Sequence, residues 1–451
     1  MHSPFITARK RFLYLGILLH CLFVHYVFAA EYLDIERVAP KTALEQGTAI
    51  KSEFDQVKET QKSFLKKLME RNATIGSFTR DSSLVFKPRI YNFERKLFDT
   101  LKGDYLTAGG SIEYTSGRWK NIASMGLTYS YSTDIKIRED DIPVGLLANN
   151  GDSLSVISEA FVRIGTRDSK LSSVLYRQSF NLPYLNRQDS RMIANTFEAY
   201  RLDYNTTNLD FVVAYVSKMK RQNSDDFVSM SKRAGSINSN GVIATGFMLD
   251  IDRFHIGAIN YYNKDTINIF YLETNLEGSY ENGIDYQLRT QLSHQRSIGS
   301  EDIGNFKTWH WGASIISSWQ FIVVNLRYTI TGKDSGLKSP WGGRPHYNSL
   351  MLLNFDRAGE QSAGLTVSYS LDQWKLPDFS LSMNFARGLF AEDENGVDQE
   401  DVHEFDITLD YKPSDKRLNG LWVRIRYGEA DRGDKTLRDF RAILNYPVSL
   451  F

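Results

Sequence analysis

Basic residues recur at even spacings in segments of otherwise apolar, alternating character. Lys87, Arg89 and Arg95 lie in SSLVFKPRIYNFERK, Arg424 and Arg426 in LNGLWVRIRYG, and Arg441 lies just ahead of the ending ILNYPVSLF. A spacing of two places such residues on one face of an extended strand. Guanidinium forks match carboxylates, so the chemistry open to this row is recognition of anionic groups. Catalysis is not indicated. The histidines His255, His294, His310, His346 and His403 are scattered, without ligand spacing and without a nucleophile elbow. That pattern supports neither a hydrolase nor a metal site, and no cofactor is implied.

The elements that must carry these residues follow one rhythm. From about residue 83 to the end, short segments alternate apolar and polar residues, which is the pattern of strands with one greasy and one polar face. The spacers between them are by turns tiny and long. The count is eighteen strands, from Leu84–Arg95 through Leu421–Tyr427 to Asp439–Leu450. Short turns such as Ser116-Gly117-Arg118 and Asp250-Ile251-Asp252 fall on one side. Long connections near residues 132–153, 180–195, 219–240, 294–307, 331–361 and 389–402 fall on the other, with Asn263-Lys264-Asp265 a short exception. Tyr347–Phe355 reads as part of a long loop. An even count with that asymmetry predicts an all-β, 18-stranded antiparallel transmembrane β-barrel, short turns in the periplasm and long loops outside.

Composition agrees. In 451 residues, lysine plus arginine equals aspartate plus glutamate at 54 each, which gives no bias toward nucleic acid. Aromatic residues make up 13% and proline only 10 residues, as suits aromatic girdles and a fully paired backbone. No stretch after residue 30 approaches the length of a membrane-spanning helix, and lipid admits only helices or closed barrels.

The N-terminus has Arg9, Lys10 and Arg11, an apolar run from Phe12 to Phe28, then Ala29-Ala30. That is a secretory signal over residues 1–29, with cleavage expected after Ala29. Cys21, the sole cysteine, lies inside it, so the mature chain has no thiol chemistry. Residues 30–80 form a separate N-terminal periplasmic segment. Ile50, Phe54, Val57, Gln61, Phe64 and Leu68 step by four and three, which predicts a short helix from about Ala43 to Arg71. The barrel then takes residues 81–451.

Strand parity sorts the charges. Leu84, Phe86, Pro88 and Ile90 share one face and must meet lipid, so Lys87, Arg89, Tyr91 and Arg95 face the lumen. Val423, Ile425 and Tyr427 likewise turn Arg424 and Arg426 inward, and Leu444, Tyr446 and Val448 turn Arg441 inward. An arginine at mid-bilayer on the lipid face costs about 2–4 kcal/mol, which disfavours the opposite parity. Closure of the barrel brings the last two strands beside the first, so Lys87, Arg89, Arg95, Arg424, Arg426 and Arg441 form one basic stripe. A narrow passage lined by one sign of charge concentrates the other. The competing expectation is a lumenal charge network, in which Glu404, Asp406 and Asp410 pair with Arg424 and Arg426.

Phe180–Phe197 reads FNLPYLNRQDSRMIANTF, too long and too specific for a plain surface loop. Pro183, Tyr184, Asp189 and Arg191 combine stiffness, an aromatic edge and both charges, which suits an inward-folded constriction. Lys338–Glu360 is a second such segment, with Pro340, Gly342, Gly343 and Pro345 defining a turn.

LPYLNRQDSRMIANTFEAY resembles the constriction loop of OprD-family porins, especially those of epsilonproteobacteria. SPWGGRPHYNSL followed by NFDRAGE resembles the family's later inward-leaning loop. SSLVFKPRIYNFER, LNGLWVRIRYG and ILNYPVSLF resemble its first and last two strands. The resemblance spans residues 81–451. It implies a monomeric or loosely trimeric, substrate-selective channel for small solutes carrying a carboxylate, such as amino acids, peptides and organic acids. Some members also admit β-lactams. It also implies a basic ladder at Arg89, Arg95, Arg424, Arg426 and Arg441, faced by eyelet groups for which Asp189 and Tyr184 are the nearest candidates. Ala194 stands where the family's loop leads one to expect proline, which loosens it. Partners on this reading are small-molecule solutes, outer-membrane lipid and the barrel-insertion machinery that reads Phe451 as a tag. The alternative is an adhesin or structural barrel without selective transport, since long loops face outward.

Overall fold

The computed structural model describes Phe78 and residues 81–451, apart from positions 99, 139, 282, 394 and 434. The signal segment over residues 1–29 and the helix expected from Ala43 to Arg71 lie outside the described residues.

Eighteen strands make the wall, in chain order. They are β1 Ser83–Leu97, β2 Leu101–Thr115, β3 Ala123–Lys136, β4 Leu154–Ile164, β5 Leu171–Gln178 and β6 Thr196–Asn205. Next come β7 Leu209–Lys220, β8 Val242–Ile251, β9 Phe254–Asn263, β10 Ile267–Ser279, β11 Asp285–Ser297 and β12 Lys307–Trp319. The last are β13 Ile322–Thr331, β14 Gln361–Ser370, β15 Phe379–Leu389, β16 Val402–Tyr411, β17 Trp422–Arg432 and β18 Lys435–Asn445. Each pairs antiparallel with its chain neighbour, and β18 closes on β1 from Arg89↔Asn445 to Leu97↔Leu437. Closure leaves no sheet edge, so every strand in the hydrocarbon finds its backbone partners within the protein. Beyond Pro447, Val448–Ser449 resumes the pairing against Val85 and Phe86. The seam ends where the Leu84 N–H donates to the carbonyl of Phe451 (3.1 Å).

The alternation is visible as exposure. In β3, Met125, Leu127, Tyr129 and Tyr131 are exposed, whereas Thr128, Ser130 and Ser132 are buried. The outward face is greasy because it meets lipid, and the inward face is polar. Three details differ from the sequence reading. The last strand, expected over Asp439–Leu450, runs from Lys435 to Asn445 and is interrupted at Pro447. The strand expected at Lys120–Tyr131 begins at Ala123, because Lys120 and Asn121 adopt positive φ in a tight turn. On the long-loop side two further connections are short, at residues 98–100 and 433–434. That side therefore carries nine connections. The third (179–195), the seventh (332–360), the second (137–153) and the fourth (221–241) fold over or into the lumen.

The inward loops rest on an apolar sector. Val212, Ala214 and Val216 of β7, Val242 and Ala244 of β8, Ile259 and Tyr261 of β9, and Ile267, Ile269 and Tyr271 of β10 form one buried cluster. Phe180, Tyr184 and Leu185 of the third loop, Met230 of the fourth and Trp341 of the seventh pack on it. Each fully buried Val, Leu, Ile, Phe or Met among them contributes roughly 1.5–3 kcal/mol by leaving water. Two smaller clusters fasten loops elsewhere on the wall: Val144, Leu146, Leu147, Met192 and Ile193 pack with Tyr91 and Phe93 of β1, and Leu353 and Phe355 of the seventh loop pack with Ala386, Val402 and Ala430 of β15, β16 and β17.

Candidate site: an arginine wall and two inward loops

The inward positions of β16, β17, β18 and β1 form rows across the seam, fixed by register. Arg95 stands beside Asp439, then Gly428, then Asp406. Next come Phe93, Arg441, Arg426 and Thr408. Tyr91, Ile443, Arg424 and Asp410 follow, and then Arg89 beside Asn445. All the arginines of the expected stripe face the lumen.

Most of them are paired. Arg424 binds Asp410 through Nε (2.7 Å) and Nη2 (2.9 Å). Asp439 accepts from Arg95 at both oxygens (2.8 and 2.7 Å) and from Nη2 of Arg441 (2.6 Å). Lys87 meets Glu113 of β2 at 2.9 Å. Arg426 differs. Its Nε donates to Thr408 Oγ1 (3.2 Å), and among the described residues no carboxylate lies within ion-pairing distance of it. The wall is therefore in large part a charge network. Of the acids expected to neutralise it, Asp410 does so. Glu404 instead accepts the backbone N–H groups of Leu352 (2.7 Å) and Leu353 (2.6 Å), and Asp406 that of Met351 (3.3 Å). Those two acids hold the seventh loop against the wall, and Arg441 donates to the Met351 carbonyl (3.3 Å). Gly428 makes room for this approach, because a Cβ there would strike Met351 and Asp406.

Phe93 is a hub that the alternating pattern alone does not reveal. Its fully buried ring has the guanidinium groups of Arg441, Arg191 and Arg95 at 4.5, 5.0 and 5.1 Å from its centroid. Cations are drawn to the ring's negative face, and this gathers three of them that would otherwise repel. Asp439 is a second residue absent from the expected stripe. Its signal is parity, since it lies two residues before Arg441 and so on the same face.

The third loop crosses the lumen from the apolar sector to β1. At its far end Asp189 takes a fork from Arg89, at 2.6 Å from Nη1 and 3.3 Å from Nη2, with Arg187 at 3.4 Å. Arg89 also donates to Asn445 Oδ1 (2.6 Å) and to the Arg191 carbonyl. Burial works to raise the Asp189 carboxyl, but Arg89 and Arg187 outweigh it and hold the group well below the usual carboxylate range. Arg191 donates to the Val144 carbonyl of the second loop (2.9 Å). Burial, with Arg441 nearby, lowers its pKa to about 10, so it stays charged at neutral pH. Asp189 and Arg191 thus stand where a constriction is expected, but Asp189 is bound to the basic stripe and does not face it across open water.

Tyr184 needs a correction. The sequence places it at the eyelet, yet it is 0% exposed and turned away from the passage. Its hydroxyl donates to Ser293 Oγ of β11 (2.6 Å) and lies 2.7 Å from Nε2 of His346 in the seventh loop. It follows Pro183 at φ +61°, a left-handed conformation that makes a tight turn and drives the ring into the apolar sector. His346 lies against His310, the rings tilted by 37° with centroids 4.4 Å apart, and burial keeps the His346 imidazole well below its ordinary pKa, hence neutral.

The two loops are clasped. The Gly343 N–H donates to Asn186 Oδ1 (2.8 Å), and Asn186 Nδ2 returns a bond to the Gly343 carbonyl (2.9 Å). A Cβ at Gly342 would sit 2.7 Å from Asn186 Oδ1 and 2.8 Å from its backbone nitrogen, so only glycine allows this approach. Trp341 Nε1 fixes the seventh loop to the Met230 carbonyl (2.9 Å). The loosening expected from Ala194 meets a brace, since Lys220 Nζ of β7 donates to the Ala194 carbonyl (2.7 Å). Among the described residues no cluster of three or more metal-ligating side chains is present.

Known proteins agree with this architecture. The Pseudomonas aeruginosa channel OccK9 (OpdG) superposes with a TM-score of 0.77 at 20% identity, over 83% of this chain and 100% of that one. P. aeruginosa OpdK, solved with vanillate, gives 0.75 at 17% identity over 83% and 100%. Acinetobacter baumannii OccAB1 gives 0.74 at 16% over 83% and 98%. A comparison with curated proteins returns no match. Residues 158–450 match the family model described as outer membrane porin, OprD family. The chain belongs to the OprD family of outer-membrane porins, channels of the Gram-negative outer membrane.

Proposed function

We propose that this porin passes small hydrophilic solutes carrying a carboxylate, selectively and without energy input, along the wall from β16 through β18 to β1. Arg426 carries the reading. It faces the lumen between Arg424 and Arg441, and its charge has no carboxylate within ion-pairing distance among the described residues. A solute carboxylate can take that place, while the neighbouring pairs exchange partners above and below it. Lys87, Arg89, Arg95, Arg424 and Arg441 then act as the remaining rungs. The third loop, through Asp189 and Arg191, sets the width, and Tyr184 supports it from behind. The vanillate in the OpdK structure is consistent with this solute class. The loop sequence also supports the epsilonproteobacterial type within the family, and a monomer or loose trimer is our reading of the assembly.

The test is uptake into liposomes of a panel of carboxylates, amino acids and neutral sugars of matched size, with planar-bilayer recordings beside it. Carboxylates should enter faster than neutral solutes, and Arg426→Gln should reduce that preference. Equal rates across the panel would sink selectivity. Unchanged anion flux after joint neutralisation of Arg424, Arg426 and Arg441 would sink the ladder.

A further inference from the structure

The lipid-facing side of β11 and β12 carries an unbalanced pair of cations. Arg296 and Lys307 stand directly opposite each other in register, on the outward parity, at the long-loop end of the wall. Both are exposed. Like charges set directly across a strand pair are destabilising. Among the described residues neither has a carboxylate within ion-pairing distance, although acids are near in sequence. Asp302 is instead engaged by Ser236 and Asn238, and Glu301 by Asn305.

The surroundings grade from polar to apolar down the wall. Level with the two cations stands Asn268, the register partner of Arg296. One step inward stands His294, beside Trp309. Below that the outward residues turn apolar and aromatic, with Leu292 and Trp311 opposite each other. A tryptophan belt marks the headgroup level of a membrane. The cation pair therefore sits at or above the headgroups of the outer leaflet, because the long loops of such barrels face outward.

We infer that Arg296 and Lys307 form a seat for a phosphate on a glycolipid headgroup of the outer leaflet, with His294 as a polar support; Asn268 stays paired with Asn260 through its side-chain amide. A phosphate between two opposed cations converts their repulsion into two charge-assisted hydrogen bonds. Its acyl chains would then lie down the apolar face beneath Trp309. This site is on the outside of the barrel and is independent of the solute passage.

The experiment uses the full-length purified protein in detergent, titrated with bis-phosphorylated lipid A, dephosphorylated lipid A and inorganic phosphate. Bound lipid is read by native mass spectrometry. Wild type should retain phosphorylated lipid A. Arg296→Gln combined with Lys307→Gln should weaken retention about tenfold or more, given that each surface cation attracts anionic headgroups. Arg296→Lys should retain it, which separates charge from incidental damage. Heat-modifiable migration on gels verifies that each variant is folded. The seat also predicts a sign: without lipid, Lys307→Gln should melt no lower than wild type, since it relieves a repulsion. Equal retention by wild type and the double variant overturns the inference. So does equal retention of the dephosphorylated lipid, or inorganic phosphate competing as well as the lipid, which would indicate an adventitious ion only.

Discussion

The Asp189 carboxylate of the third loop lies 2.6 Å from Nη1 of Arg89 on β1, so this loop is fastened to the same arginine wall that solutes are proposed to follow. Replacing Asp189 with Asn keeps the shape and removes the charge. Arg89 would keep Asn445 and the loop carbonyls but lose its counter-ion. We expect the anion-to-cation permeability ratio, read from reversal potentials in a salt gradient, to rise in this variant. The loop should lose about 1.5–3 kcal/mol of anchoring, the usual loss for a charged hydrogen bond. An unchanged ratio would mean that solutes do not meet Arg89.

The pH dependence of this anchor follows from its sign. The folded carboxyl lies below its ordinary value. Its contribution is therefore complete above the unfolded aspartate pKa of about 4. It diminishes only below that pH and is lost when Asp189 itself takes a proton. Conductance set by this loop should accordingly hold steady from pH 7 down to about pH 4. An Asp189-dependent transition between pH 5 and 7 would contradict the ion pair.

Asp439 predicts a larger electrostatic effect than any single arginine. It is fully buried and serves Arg95 and Arg441 together. Asp439→Asn leaves both guanidinium groups under-compensated beside Arg426. Breaking a buried pair from one side costs about 3–5 kcal/mol, so the thermal midpoint should fall. The surviving channels should prefer anions more strongly than wild type. The comparison with Arg441→Gln is informative, because that variant should lower stability while weakening anion preference. If both variants shift selectivity the same way, Asp439 is not tuning the charge of the wall.

Parity explains what the sequence discloses. A period of two leaves each residue only two directions, and lipid forbids arginine on one of them, so Arg89, Arg424, Arg426 and Arg441 can be placed without coordinates. Where an inward face is covered by loops, that rule loses its contrast. In β8, Val242 and Ala244 turn inward against Trp341 and Tyr184, while Ile243 turns outward to lipid, and both faces are apolar. Tyr184 escapes the rule for the same reason: nothing local to it indicates that β10 and β11 offer an apolar seat with Ser293 at its base. Partner choice is also non-local. Glu404 and Asp406 have the right parity to meet arginines, but the seventh loop presents them with backbone N–H groups.

Phe93 should behave as a positioning residue for the wall. Three guanidinium groups share its ring. Phe93→Leu keeps an apolar side chain but removes the ring's negative face. Each cation–π contact is worth about 0.5–2 kcal/mol, more when shielded from water. A double-mutant cycle between Phe93→Leu and Arg441→Gln should show coupling of that order in thermal unfolding. Single-channel records of Phe93→Leu should show a broader distribution of open currents, as Arg191 and Arg441 lose a common reference point. Strict additivity in the cycle would show that the ring is packing alone.

The clasp between the third and seventh loops makes the final prediction. Asn186 and Gly343 exchange two hydrogen bonds, and Gly342 leaves no space for a side chain beside Asn186. Gly342→Ala places a methyl group within 2.7 Å of Asn186 Oδ1 and 2.8 Å of its backbone nitrogen. Neither neighbour can yield cheaply, because Asn186 is buried and its backbone belongs to the short hairpin of the third loop. Overpacking of this kind costs typically about 1–3 kcal/mol. That is too little to unfold a closed eighteen-stranded wall but enough to loosen one loop from the other. We therefore expect wild-type heat-modifiability and a wild-type wall melting transition. In single-channel records the variant should flicker between the normal current and a larger one. Asn186→Ala should act in the same direction, since it removes the same two bonds without adding bulk. If both variants instead keep the single wild-type current, the third loop is held by β1 and the apolar sector alone, and the seventh loop is packed beside it without restraining it.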